Sequence, residues 1–231
     1  MKPGTSWMST DYTIGAMPAP LPAGDLELLA QVETATVGHS RHLGFMHRTV
    51  QPLLRGRRVV GVAVTVAIPG PDSTLLHHAL GLLRPGDFVV VDRLGDDRHA
   101  CWGGGVTVAA KAAGAVGAVV DGPCTDLAEI EASDFPVWCR GLSPITTRLY
   151  DLGGAMNVPV ACGGVAVRPG DAVLADESGV LVLPREEVRA VAEAAIARQK
   201  RGVEREKQVR AGAKLGELSG ATAKVLARLR S

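Results

Sequence analysis

The sequence predicts an α/β domain with a mixed or parallel sheet, and three observations carry that expectation. Short Val-rich runs alternate with short helical patterns along the 231 residues, the order expected of strands joined by crossover helices. One run, FVVVD (88–92), is apolar at successive positions, as a strand covered on both faces must be. Aromatic residues are only 3% of the chain against 46% hydrophobic, so Val, Ala and Leu have to fill the core that a domain of this length can bury.

Residues 1–24, rich in Pro, Gly, Ser and Met, show no periodicity and read as a flexible N-terminal arm. Asp25 is placed to cap a helix over LELLAQVE, which leads into TATVGHSRH (34–42). RVVGVAVTVAI (58–68) is rich in β-branched residues and reads as a strand, followed by a helix around Leu75–Leu83. Arg84-Pro85-Gly86-Asp87 makes a turn into the 88–92 strand. In the glycine-rich centre, Val106–Ala113 reads as a closely packed helix and Gly117–Asp121 as a buried strand. Asp126 and Glu129 have the spacing of a capping box for the next helix. Strands follow at FPVWC (135–139) and VPVAC (158–162), then a hairpin of AVLAD and GVLVLP turning at Glu177-Ser178. The Ala-rich, charged pattern from Arg185 to about Leu218 is one long helix or two shorter ones. The chain thus divides into the arm, an α/β domain over 25–184, and a C-terminal helical segment over 185–231.

A formal charge of +1 gives no electrostatic case for nucleic acid or an anionic membrane surface as partner. The run Arg55–Arg58 is too short to alter that and reads as a solvated turn. No stretch has the length of a membrane span, and the opening residues MKPGTSWMSTDYT lack the apolar region of a signal peptide. Cys101, Cys124, Cys139 and Cys162 include no C-x-x-C pair, which favours free thiols and a cytoplasmic setting.

Read in order, GVAVTV, PGDFVVVD, AAKAAGAVGAVVDGPCTD, FPVW, NVPVACGGVAVRPGD and ADESGVLVLP resemble one family from about Thr34 to Pro184. It is the ribonuclease-activity-regulator A family, which includes the 4-hydroxy-4-methyl-2-oxoglutarate and 4-carboxy-4-hydroxy-2-oxoadipate aldolases. The resemblance implies an α/β/α swivelling-domain-like fold with a mixed sheet, assembled as a homotrimer or hexamer with sites between subunits. It also implies a class II, pyruvate-type lyase in which Mg2+ or Mn2+ offsets the charge of an enolate formed from a small 2-oxo acid. Two alternatives remain open: a redirected enzyme of non-aldolase chemistry, and a non-catalytic regulator that binds a ribonuclease.

Carried over by position, the family's metal-ligand aspartate is Asp126, which the capping-box spacing equally marks as a helix cap. Thr125 stands where catalytic members carry an arginine that binds substrate, and threonine lacks its fixed positive fork. Gly103, Gly104 and Gly105, followed by Val106, stand where backbone amides hold the substrate carboxylate; close helix packing explains the same glycines. Gly104 also replaces the family's acidic residue, and a positive φ there would disfavour restoring an aspartate. His39 falls where the aldolases carry Asp or Glu and is a candidate acid/base group. His77 and His78 are secondary candidates on a helix, explained equally by surface polarity. Cys124 reads as a small buried residue unless a base adjoins it, and Asp92 and Asp121 end strands where functional groups gather.

Overall fold

The computed structural model describes residues 11–229; residues 1–10 of the expected arm and 230–231 of the expected C-terminal helical segment lie outside the described residues. The strands and helices run β1 (Tyr12–Ile14), α1 (Ala23–Leu29), α2 (Thr34–Gly38), β2 (Gln51–Pro52), β3 (Val59–Ala67), α3 (Thr74–Leu80) and β4 (Asp87–Asp92). Next come α4 (Gly104–Ala112), β5 (Gly117–Val120), α5 (Leu127–Ala132), β6 (Val137–Cys139), β7 (Gly154–Met156), β8 (Val160–Cys162) and β9 (Val165–Val167). The chain ends in β10 (Ala172–Asp176), β11 (Gly179–Leu183), α6 (Val188–Arg210), α7 (Leu215–Leu218) and α8 (Ala221–Leu226).

Strands β3, β4, β5 and β6 form a parallel run, the geometry that crossovers through α3, α4 and α5 impose. The outer edge of β3 is shared: β10 pairs antiparallel along Val59–Val62, and β7 pairs antiparallel at Val66 and Ala67. β11 extends the sheet from β10, β1 joins β7 in parallel, and β2 closes the far side against β6. The sheet is therefore mixed, as the sequence pattern implied.

Side-chain alternation makes the layers. Val64, Val66, Val89, Val91 and Val120 face α3, α4 and α5, where Leu75, Leu76, Ala110 and Ile130 are buried. Ala63, Phe88, Val90 and Val119 face the opposite way, against Val160, Cys162 and Val167 of the separate β8–β9 hairpin. A third cluster packs Leu29, Val37, Val188, Ala192 and Ala195 of α1, α2 and α6 over Leu174 and Leu181. The 88–92 run is covered on both sides for this reason.

Two local expectations are corrected. Asp25 does not cap α1: the helix starts at Ala23 behind Pro22, whose φ of −55° already suits helix entry. Asp25 lies in the first turn and pairs with Arg189 of α6 at 2.6 Å, so a tertiary contact claims it. Strands β1, β2, β7 and β9 leave no mark in the sequence pattern, because two or three residues are too few to show a period of two. Within the Arg55–Arg58 run, Arg57 pairs with Asp134 and Arg58 with Glu33 at the surface.

Asp72 fastens the long irregular segment before β7 to the start of α3. Its buried carboxylate accepts hydrogen bonds from the Thr74 hydroxyl and amide and from the amides of Tyr150 and Leu152, at 2.6–3.0 Å. Burial alone would push its pKa up, but these hydrogen bonds outweigh it and hold the group below the ordinary carboxylate value. A depressed folded-state pKa stabilises above the unfolded value and is lost as pH falls through the folded one. Asp72→Asn should therefore cost about 2 kcal/mol at pH 7 in urea unfolding. The gap from the unmodified protein should close below the carboxylate range; a gap independent of pH would disprove this role.

Candidate functional site

Helices α4 and α5 begin where the parallel strands β4 and β5 end, the side of such a sheet on which ligand crevices form. The two loops leading into them are paired. The Thr125 N–H donates to the Trp102 carbonyl at 2.9 Å, and the Cys124 N–H donates to the Gly141 carbonyl at 2.9 Å. Trp102 is locked beneath them: its Nε1 donates to Thr107 Oγ1 at 2.9 Å and its ring stacks on Phe135. A buried aromatic with its N–H satisfied gives the loops a rigid floor.

Asp126 occupies the left-handed region (φ 52°, ψ 45°), which aspartate tolerates better than most residues. Its side chain does not cap α5, so the capping-box expectation is corrected. Instead Oδ2 accepts the N–H of Gly104 at 3.1 Å, capping the neighbouring α4, and Oδ1 accepts the Thr125 hydroxyl at 3.2 Å. The left-handed turn re-aims the carboxylate from its own helix to the next one. A negative charge there also meets the positive end of the α4 dipole.

Glu129 supplies a second carboxylate at the same place. A Cβ built on Gly104 would overlap the Glu129 carboxylate and come within 2.8 Å of the Glu129 Cβ. A Cβ on Gly103 would likewise meet the Asp126 carboxylate and stand 2.8 Å from the Thr125 methyl. Both glycines thus make room for close side chains, Gly103 for those of the loop into α5 and Gly104 for Glu129 of α5 itself. Gly104 has no positive φ, so the expected backbone obstacle to a side chain is replaced by a steric one.

The amide of Gly104 is occupied, which narrows the expected carboxylate cradle. Among the described residues, the amides of Gly105 and Val106 donate to no backbone or side-chain acceptor. Both residues line an open groove of about 530 Å3 between α3 and α4, with His77 on its opposite wall.

Other sequence candidates are placed elsewhere or otherwise engaged. His39 ends α2 and faces α6, in a concavity separate from the Asp126 loop. His78 lines a smaller groove with Tyr12 and Ile14. Asp92 accepts the amides of Leu94 and Ala161, and Asp121 accepts the amide of Gly163 and the Arg140 guanidinium, so both anchor the β8–β9 hairpin. Burial pushes the Cys124 thiol well up, with Cys139 hydrogen-bonded beside it, which suits packing and not nucleophilic attack. All four cysteines are free and buried.

Two residues of interest escaped sequence reasoning. The sequence marks Glu129 only as a capping partner, since its reach toward Gly104 depends on how α4 and α5 pack. Arg93 is fully buried under the 121–126 loop, its Cγ 2.8 Å from where a Cβ on Gly122 would lie. Its Nη2 donates to the carbonyls of Gly70 and His99, whereas Nε and Nη1 have no partner among the described residues. A cation directly after a buried strand end was the available signal.

Against known proteins, a family model described as RraA-like, aldolase/RraA, matches residues 30–182. The chain belongs to the aldolase/RraA family. Within that family, a Halalkalibacterium halodurans protein provisionally named 4-hydroxy-4-methyl-2-oxoglutarate aldolase is 39% identical over 137 residues, 59% of this chain and 65% of the relative. The chain therefore spans just under two thirds of that relative's length. RraAS2 of Streptomyces coelicolor, described as an unusual member of the RNase ES inhibitor RraA family, superposes with a TM-score of 0.72 at 30% identity. That match covers 81% of this chain and 99% of RraAS2. The RNA-processing inhibitor RraA from Thermus thermophilis gives a TM-score of 0.56 at 29% identity, over 61% and 84% of the two chains. The aldolase/RraA fold inferred from sequence is thus the fold observed. No helix among the described residues is long and apolar enough to cross a membrane.

Proposed function

We propose that this aldolase/RraA chain is a divalent-metal-dependent carbon–carbon lyase, of aldolase or decarboxylase type, for a small 2-oxo acid. The observation that carries the reading is the convergence of the Asp126 and Glu129 carboxylates on the start of α4, beside two unpartnered amides. Among the described residues no three His, Cys, Asp or Glu side chains are grouped to hold a metal. Two hard oxygen donors nevertheless fit Mg2+ or Mn2+, because such ions keep several waters and need only one or two carboxylates. The ion would supply Lewis-acid stabilisation of the negative charge that develops on a 2-oxo acid.

The chain's own residues do the rest. The Gly105 and Val106 amides orient the substrate carboxylate, the groove between α3 and α4 receives its remainder, and Trp102 keeps the loops from yielding. Thr125 adds a hydroxyl but no charge, so cleavage of 4-hydroxy-4-methyl-2-oxoglutarate is expected to be slow. Large apolar side chains at Leu142, Ile145, Leu149, Tyr150 and Leu152 are exposed on the segment that also bridges Cys124 through Leu142. This apolar surface adjoining the site supports a homotrimer or hexamer with sites at subunit contacts.

The likeness to RraAS2 favours a second reading, a non-catalytic regulator that binds a ribonuclease. The readings separate cleanly: pyruvate release that stops in EDTA and returns with Mn2+ supports the lyase, and full activity in EDTA removes the metal mechanism.

A further inference from the structure

Helix α6 carries Arg198, Arg201 and Arg205, whose spacing sets them along one side, next to the stripe of Val188, Ala192 and Ala195 that packs into the core. With Thr36 and His39 from α2, and Gln199 and Gly202 from α6, they line a concavity of about 160 Å3. Among the described residues none of the three arginines forms an ion pair. The acids on the same segments are engaged elsewhere: Glu33 with Arg58, Glu204 with Lys207 and Glu206 with Arg210. The whole chain has a formal charge of only +1, so three free guanidiniums in one hollow are not part of a general basic excess. Like charges three and four residues apart also weaken a helix, a cost that a bound anion would relieve.

Two further features shape the hollow. Gly202 lies inside the unbroken 23-residue helix, where glycine is unfavourable, and a Cβ there would meet nothing within 4 Å. Internal packing therefore does not require this glycine. Gln199 holds the walls together: its Oε1 accepts the Glu33 N–H at 3.2 Å and its Nε2 donates to the Gln31 carbonyl at 3.0 Å. The cavity is pre-formed before any ligand arrives.

We propose that this hollow binds a phosphoryl group, either inorganic phosphate or the phosphate of a small monoester. A tetrahedral dianion can accept from several guanidinium forks at once, with the Thr36 hydroxyl as a further donor. The volume lies below the roughly 300–1,000 Å3 of sites for drug-sized ligands, which leaves no room for a nucleoside. The site is separate from the Asp126 loop and does not depend on the lyase reading.

Calorimetry on the full chain, at ionic strength held constant with sodium chloride, tests the proposal with inorganic phosphate and glycerol 3-phosphate as probes. The expected result is saturable binding of one phosphoryl group per chain. Tighter binding of inorganic phosphate assigns the free ion, tighter binding of glycerol 3-phosphate assigns the ester, and equal affinity shows that the phosphoryl group alone is recognised. Arg201→Gln and Arg205→Gln should each weaken binding roughly tenfold or more, whereas Arg210→Gln, on the same helix but outside the hollow, should not. Gly202→Ala should raise the Tm without ligand yet weaken phosphate binding, a pairing that a purely structural glycine would not give. The proposal is overturned if neither probe saturates, if Arg210→Gln is as damaging as Arg205→Gln, or if a single-stranded oligonucleotide binds more tightly than either probe. Circular dichroism of each variant separates lost binding from lost folding.

Discussion

Asp126→Asn is expected to lower Mn2+-dependent pyruvate release by about a hundredfold or more while leaving the fold intact. Asparagine keeps an oxygen that can accept the Gly104 N–H, and it tolerates the left-handed backbone at this position. What it loses is the charge. Asp126→Ala should lose activity equally and also stability: about 1 kcal/mol for the cap on α4, and about 1–2 kcal/mol for alanine in the left-handed region. Comparing the two in urea unfolding, steady-state turnover and Mn2+ titration calorimetry separates scaffold from chemistry. Full turnover by the asparagine variant would remove Asp126 from the mechanism, as would stoichiometric Mn2+ binding unaltered from the parent.

Gly104→Asp, the substitution that would restore the family's acidic residue, is expected to fail on its own. Its Cβ has to enter space held by the Glu129 side chain, and overpacking of this kind typically costs about 1–3 kcal/mol before the added charge is counted. Glu129→Ala in the same chain should recover only part of that stability, because it clears the carboxylate but leaves a Cβ 2.8 Å from the one added at Gly104. Thr125→Arg is different, since Thr125 is only half-buried and a longer side chain can leave outward. Alone, it should raise pyruvate-forming activity by roughly a hundredfold if a missing charge limits the rate. Efficient cleavage by the unmodified protein would mean that another cation already serves, and the buried Arg93 under the same loop would be the first to test. If Thr125→Arg gains nothing although Mn2+ binds, the redirected-enzyme reading takes precedence.

The parallel core was legible because β3, β4 and β5 are long or apolar enough to declare themselves, and the ordered motifs around them matched one family. The short edge strands were not, since their pairing partners lie far away in sequence: Tyr12 pairs with Gly154 and Gln51 with Cys139. At the site, the gathering of Gly103, Gly104, Thr125 and Asp126 could be inferred by position. The direction of the Asp126 carboxylate could not, because a capping box and a left-handed turn share the same residues. His39 illustrates the opposite limit. Its place in a motif made it a candidate acid/base group, and the packing of α2 on α6, which no motif shows, puts it among arginines.

The divided edge of β3 gives the sheet an uneven resistance to local opening. Strand β7 holds β3 through only two residues, and β1 hangs from β7 with all three of its residues exposed. The β10 side, by contrast, is pinned by four pairs and roofed by α1, α2 and α6. Amide hydrogens of Tyr12–Ile14 and Gly154–Met156 should therefore exchange with solvent as one early unit, long before those of Val173 and Leu174. The molecule has a peelable margin on one half of a strand and a sealed one on the other.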